Sequence, residues 1–315
     1  MARQLPQELL DDMVDTVAEQ GDIEALKNCR LAGRDLNIRS REHLFSSITL
    51  RPKRTGREIV FTEDALYEFV AADPSLLRNV KDIKIVLNMA NDITPAANRS
   101  KTLVALLSKM NGSDSSVTSF ELSADHFEDW ESERMDQPLQ EAILKLIISG
   151  HIQKLSIAQI FAFPLKGLLS KLPESITDVS LRQVITSGAE LQPTLKDALP
   201  GPIARLRRLA IDELSVLLFT RMDSVHFPQR ANLIGNIQEL VLYSPKTIRA
   251  ASDWTFIVQN MGHSLRSLTV FVLLLFCYCT ELISGTGLSL TSASANSPES
   301  YVSTPCQSSK SSTSP

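Results

Sequence analysis

The sequence predicts an α/β chain: a short cluster of three helices at the N-terminus, then an irregular repeat of alternating strands and helices. Two patterns carry this prediction. Apolar residues recur at helical spacing in the first fifty residues, and a six-residue pattern, apolar-x-x-apolar-x-apolar, recurs seven times after them. A third observation bounds the size. With 315 residues, 43% of them hydrophobic, the chain can build one large domain, or a small one joined to a larger one.

In "LPQELLDDMVDTV", Pro6 suits the first helical position, where a missing N–H costs nothing. Glu8 sits in the first turn and complements the helix dipole. Leu9, Leu10, Met13, Val14, Val17 and Ala18 share one face. Gly21 stops this helix and Asp22 caps the next, which carries Ile23, Ala25, Leu26 and Cys29 and ends by Gly33. A third helix, from about Leu36 to Phe45, leads into "SSITL", a short strand-like run. Three short helices alone bury too little surface to be secure. The apolar face of the first helix is therefore expected to rest on the following domain or on another protein.

These residues resemble an F-box, in the variant common in fungal proteins that closes on an "HLF…ITL" segment. Leu5, Pro6, Glu8 and Leu9 match the opening of that motif, and Met13 and Val14 stand at its paired aliphatics. Leu31 stands where a Leu-Val pair is usual, and Leu36 lies near a position where the family usually has Trp. The resemblance covers residues 5 to 50. It implies that Leu5, Pro6, Leu9, Met13, Val14 and Leu26 bind the adaptor subunit of a cullin–RING ubiquitin ligase, while a second domain holds a protein substrate. The competing reading is a helical cap over the end of the next domain.

Residues 51–75 read as a linker and a helix. "RPKRTGRE" is basic, with Arg51, Lys53, Arg54 and Arg57, and is better read as a solvated loop than as a nuclear-localisation patch. Thr62 can cap a helix carrying Leu66, Phe69 and Val70, closed by Pro74. The run "FVAADPSLLRNVKDIKI" also resembles the junction found in fungal F-box proteins.

The repeats occupy residues 76–280. The hexamers begin at Val80, Val117, Ile152, Ile176, Leu206, Ile237 and Leu265, at intervals of 24 to 37 residues. Each alternates like a half-buried strand. Helical patterns intervene: "SKTLVALLSKM", "QPLQEAILKLIISG", "LKGLLSKLP" and "SDWTFIVQNMG". Strands and helices alternating at this spacing predict parallel strands with helical crossovers. The hexamer resembles the strand core of a leucine-rich repeat, which implies an irregular leucine-rich-repeat-like solenoid. That family favours Asn three residues after the last apolar position, and here only Asn88 complies; Asp125, Ile160, Val184, Leu214 and Pro245 stand at the others. The alternative is an ordinary parallel sheet with helices on both faces.

No site of chemistry assembles in the sequence. There is no Gly-x-Gly-x-x-Gly, no phosphate-binding Gly-Lys-Ser/Thr loop and no Gly-x-Ser-x-Gly elbow. The five His are never spaced as metal ligands, and four scattered Cys make no disulfide framework. A net charge of −4 gives no general attraction to nucleic acid or membrane. No cofactor is implied. No basic stretch followed by an apolar run opens the chain, so a cytoplasmic or nuclear protein is expected. The sequons at Asn98 and Asn111 then carry no meaning.

Binding surfaces are the remaining possibility. In the hexamer the residues between the apolar set point away from the core. That row comprises Lys84, Glu121, Ser156, Ser180, Ala210 and Val241, flanked by Arg182, Asp212 and Tyr243. Arg182 and Tyr243 are the expected anchors for a protein substrate, because Arg and Tyr dominate hot spots. The acidic segment "DHFEDWESERMD" offers Trp130 as an alternative contact, although most such aromatics are packing residues. Near the end, the apolar run Leu268 to Cys279 is too short to span a bilayer. Residues 281–315 are rich in Ser and Thr and read as a disordered tail, either regulated by phosphorylation or translated from non-coding sequence. The expected function is a non-enzymatic substrate receptor of a ubiquitin ligase. The alternative is a leucine-rich-repeat interaction scaffold without ligase function.

Overall fold

A computed structural model describes residues 5–50, 60–61, 63–87, 96–112, 115–131, 135–149, 151–169, 171–185, 205–215, 234–243, 261 and 264–271. The basic stretch at 51–57, Thr62, Asn88, the helical pattern at 252–260 and everything after Phe271 lie outside the described residues. The chain divides into two compact units, Met1–Glu121 and Leu122–Pro315.

The first unit opens with helices α1 (Gln7–Glu19), α2 (Ile23–Ala32) and α3 (Arg34–Ser46), followed by β1 (Ser47–Leu50). Pro6 is the residue before the helix rather than its first: its carbonyl accepts the Leu9 and Leu10 amides at 3.2 and 3.3 Å. Gly21 ends α1 with φ +70, the left-handed conformation that glycine adopts without penalty. Asp22 caps α2 by accepting the Ala25 N–H at 2.9 Å. Arg34 starts α3 two residues ahead of the expected Leu36, directly after Gly33.

Val14, Leu26, Leu44 and Phe45 form the core of this cluster, joined by Leu76 from the short 3-10 helix Pro74–Arg78. The following segment thus supplies part of the cover that α1 needs. Val14 is completely buried and Leu26 nearly so. Both were expected at an adaptor interface; in the structure they are interior residues of the cluster's own core.

A polar clasp holds α1 to α3. The Arg39 guanidinium donates to both carboxylate oxygens of Asp15, Nε to Oδ1 at 2.6 Å and Nη2 to Oδ2 at 2.8 Å, and its Nη1 donates to Glu42 at 2.8 Å. His43 Nε2 adds a contact to Asp15 Oδ1 at 2.6 Å. The hydrogen bonds from Arg39, then from His43, hold the Asp15 carboxyl far below the usual carboxylate range. Asp73 caps the 3-10 helix through the Ser75 N–H at 3.1 Å and pairs with Arg41 on α3. Ser75 first, then Arg41, lower its pKa.

The rest of the first unit comprises β2 (Val60–Phe61), α4 (Glu63–Ala72), β3 (Asp82–Leu87), α5 (Ala96–Met110) and the start of β4 (Ser119–Asp129). The second unit continues β4 and adds α6 (Gln137–Ile148), β5 (Lys154–Phe161), α7 (Leu165–Leu169), β6 (Asp178–Arg182), β7 (Arg208–Asp212), β8 (Glu239–Tyr243) and β9 (Ser267–Phe271). The nine strands form one open sheet in the order β2-β1-β3-β4-β5-β6-β7-β8-β9, and every described ladder is parallel. Each of the seven predicted hexamers contains a strand, but the strand begins at its third residue. The first apolar residue lies before the strand and is buried in six of the seven: Val80, Val117, Ile152, Ile176, Leu206 and Ile237.

One hydrogen-bond arrangement repeats at five of the six junctions between successive hexamers. The carbonyl of the second hexamer residue accepts two successive amides from the next hexamer. Gln153 takes Thr177 and Asp178 at 2.9 and 3.1 Å; Thr177 takes Arg207 and Arg208 at 2.8 and 3.1 Å. Arg207 takes Gln238 and Glu239 at 2.7 and 2.9 Å, and Gln238 takes Arg266 and Ser267 at 2.8 and 2.9 Å. In the first unit the Lys81 carbonyl does the same for Thr118 and Ser119.

The clasp makes the folded protein sensitive to acid. Because the folded Asp15 carboxyl holds its proton less tightly than the unfolded one, its contribution is fully present above the unfolded value of about 4 and falls as the pH drops below it. Urea unfolding at several values between pH 5 and pH 2.5 is expected to fall less steeply with acid in Asp15→Asn than in the wild type. Equal slopes would mean that the clasp adds nothing to folding.

Candidate protein-binding surfaces

The first surface lies on the helical cluster. With Val14 inside, the outward residues of α1 are Leu9 and Met13, 51% and 58% exposed, and Leu5 just before the helix is 55% exposed. Ile38 on α3 is 70% exposed. Gln7 links the two helices by donating Nε2 to the Asp35 carbonyl at 2.9 Å, as well as to Asp11 Oδ1. The cleft beside this contact, about 760 Å³, is lined by Gln7, Asp11, Asp35 and Ile38 together with Arg34 and Glu42. An apolar strip bordered by both signs of charge is what a protein partner can cover, since lone exposed apolar residues are ordinary but adjacent ones are not.

The second surface is the sheet face of the second unit. Register sets its rows. Ser156, Ser180, Ala210, Val241 and Thr269 are successive partners across β5 to β9. This is the predicted outward row, but Ala210 and Val241 are buried in it. They lie between longer side chains of the two neighbouring rows: Arg208 and Glu239, ion-paired at 3.4 Å, on one side, and Asp212 and Tyr243 on the other. The accessible features are therefore the flanking rows. In the first unit, Lys84 and Glu121 of the same predicted row neutralise each other at 3.0 Å.

The row at the C-terminal ends of these strands holds a built arrangement. Arg182 places its guanidinium 5.6 Å from the centroid of the Tyr243 ring, and Tyr243 stacks on Phe271 at 5.3 Å and 10°. An Arg above an aromatic face, with a second ring stacked beside it, forms a cation–π ladder across β6, β8 and β9. Sequence reasoning found Arg182 and Tyr243 but missed Phe271. The signal was present: all three follow their hexamer by one residue.

Two expected contacts belong to the scaffold instead. Asp212 accepts the Gln183 N–H with one carboxylate oxygen and the Ser215 N–H with the other, the latter at 2.9 Å. Gln183 follows Arg182 with φ 56, an uncommon conformation outside glycine, so the carboxylate holds the turn that ends β6. Trp130 is buried. Its ring meets Phe163 edge-on at 4.7 Å and 73°, its backbone N–H donates to the Phe161 carbonyl at 2.9 Å, and its backbone carbonyl accepts from Gln140 Nε2 at 2.7 Å. Of the acidic segment around it, residues 125–129 extend β4 and Trp130 and Glu131 form a turn, while 132–134 lie outside the described residues.

Among the described residues, no three His, Cys, Asp or Glu side chains gather to hold a metal ion, and no helix is long and apolar enough to cross a membrane. No protein-family model matches the chain, and none of the curated proteins matches it.

Asp212→Ala leaves two amides without their acceptor, and an unsatisfied buried donor costs about 1–3 kcal/mol. Asp212→Asn keeps one acceptor oxygen and is expected to recover part of that loss in urea unfolding. If Asp212→Ala is as stable as the wild type, the carboxylate does not hold this turn.

Proposed function

We propose that this chain is a non-catalytic substrate-recognition subunit of a cullin–RING ubiquitin ligase, an F-box joined to a leucine-rich-repeat-like solenoid. The residues of the first helical cluster bind the adaptor, and the strand face of the solenoid binds a protein substrate. The observation that carries the reading is the division of labour on α1. Val14 builds the cluster's own core, while Leu5, Leu9 and Met13 stay about half exposed beside it. Full burial of each side chain is worth about 1.5–3 kcal/mol, and leaving the three half in water forgoes about half of that for each. A partner that covers them recovers it. Pro6 starts the helix and so fixes where Leu5 emerges.

The solenoid part of the reading is supported by the strand order. Successive hexamers pair with each other in chain order, five of the six junctions through the same carbonyl-to-two-amides contact. That is the nearest-neighbour stacking expected of a repeat protein. Its exposed sheet face would present the Arg182–Tyr243–Phe271 ladder to the substrate.

Binding to purified adaptor tests the first half. Leu9→Asp combined with Met13→Asp places two charges on the proposed interface without touching the interior, and is expected to weaken capture at least tenfold while the far-ultraviolet circular dichroism stays unchanged. A wild-type chain that does not bind adaptor leaves the scaffold reading in its place. Arg182→Ala with Tyr243→Ala tests the second half: substrate capture is expected to fall and adaptor capture to persist. Undiminished substrate capture would remove the ladder from the interface.

A further inference from the structure

We infer that the cleft at the N-terminal edge of the sheet, around Arg205, Arg207 and Arg266, binds an extended peptide segment carrying two anionic side chains. This site is at the opposite end of the strands from the Arg182–Tyr243 ladder, and the inference does not depend on the ligase reading. The cleft has a volume of about 500 Å³. Besides the three arginines it is lined by Glu174, Thr177, Asn236, Gln238 and Ser264.

The chemistry of the lining favours an acceptor-rich ligand. The Thr177, Arg207 and Gln238 carbonyls each already accept two amides. The Thr177 hydroxyl donates to Asp178 at 2.9 Å, and the Ser264 hydroxyl bonds the Ile237 and Met261 carbonyls at 2.9 and 2.8 Å. What the cleft offers a visitor is therefore mainly guanidinium donors. All three arginines are exposed, and none is ion-paired among the described residues. The lining carries one acid, Glu174, against three bases. Placing three cations together without partners costs repulsion that an anion relieves, and a guanidinium fork suits carboxylate and phosphoryl oxygens alike.

The spacing specifies the ligand further. Arg208 pairs with Glu239 and Glu239 with Ser267, so Arg207, Gln238 and Arg266 are the neighbouring residues just before three adjacent strands. At about 4.8 Å per strand, Arg207 and Arg266 stand about 10 Å apart. An extended peptide rises about 3.3 Å per residue and turns alternate side chains to one face, so acidic side chains two residues apart, about 7 Å, face the cleft together and the long arginine side chains close the remaining gap. A nucleic acid fits less well. Stable non-specific binding draws on a longer run of phosphate contacts, and the next row already neutralises Arg208 with Glu239.

The test uses the full chain and fluorescence anisotropy at low ionic strength. The probes are a labelled peptide of about ten residues with Glu at every second position, the same peptide with phosphoserine there, and a Gln version. Binding of the Glu or phosphoserine peptide, absent for the Gln peptide and weakened about tenfold or more by Arg207→Gln with Arg266→Gln, supports the site; the tighter of the two identifies carboxylate or phosphoryl as the preferred anion. Arg182→Ala, at the other end of the strands, should leave this binding unchanged. Thermal unfolding of the double variant at the wild-type temperature excludes misfolding, and Arg266→Gln alone provides a milder variant if it does not. Equal binding by wild type and variant, failure of both acidic peptides to bind, or tighter arginine-dependent binding of a ten-nucleotide single-stranded DNA would each overturn the inference.

Discussion

The structure of the sheet depends on one backbone contact repeated at its edge: a carbonyl that accepts two consecutive amides of the next hexamer. Such a carbonyl uses both lone pairs, so its position relative to the neighbouring strand is fixed to a single residue. A slip of one residue would turn every side chain to the other face of the sheet. The apolar residues on either side enforce the same register. The first and fourth hexamer residues are both buried, and only two residues lie between them, as in Ile152 and Leu155 or Ile237 and Leu240. The chain must therefore turn into its strand at that point. Serine hydroxyls add a further tie in two repeats, where Ser175 and Ser264 donate to the carbonyls of Ile152 and Ile237.

Register is also why the strands were legible in the sequence and some of the surface was not. A period-two pattern states which residues share a face, and it placed all seven strands and their inward set, including Leu155, Ile157, Leu209 and Ile211. It is silent on the length of neighbouring side chains. Ala210 and Val241 face the predicted side but are too short to emerge between Arg208, Glu239, Asp212 and Tyr243. Asp212 is a flanking residue of the expected substrate face. Its commitment to the Gln183 and Ser215 amides is a tertiary fact that no spacing encodes. Trp130 belongs to the same class, since Phe163, which receives its ring, is 33 residues away in sequence.

In the helical cluster the helical period identified the apolar face of α1 but not how that face is divided. The division follows from the clasp. Asp15 on α1 grips Arg39 and His43 on α3, and this polar contact sets the rotation of α1 about its own axis. Val14, next to Asp15, is carried inward with it, onto Leu26, Leu44 and Phe45. Leu9 and Met13 are four residues apart, so they remain together on the strip left outside. A second polar tie, Gln7 to the Asp35 carbonyl, fixes the start of the helix against α3. The hydrogen bonds thus decide which apolar residues become core and which become surface.

Two recognition chemistries then sit at opposite ends of the same strands in the second unit. Arg207 stands just before β7 and Asp212 at its end, five residues later, a rise of about 16 Å. The N-terminal end offers guanidinium donors to charge; the C-terminal end offers the Arg182 and Tyr243 faces, which reward burial of apolar or planar groups. Between them lie the Arg208–Glu239 ion pair and then the small row of Ser156, Ser180, Ala210 and Val241, so a segment lying along the strands crosses that pair before it reaches the aromatic row. About five extended residues cover that distance. A ligand able to satisfy both ends would be acidic at one end and aromatic or aliphatic at the other. An arrangement of this kind selects for the order of residue types along a peptide as well as for their presence, because reversing the peptide sets its acids on the aromatic row and its apolar side chains on the arginines.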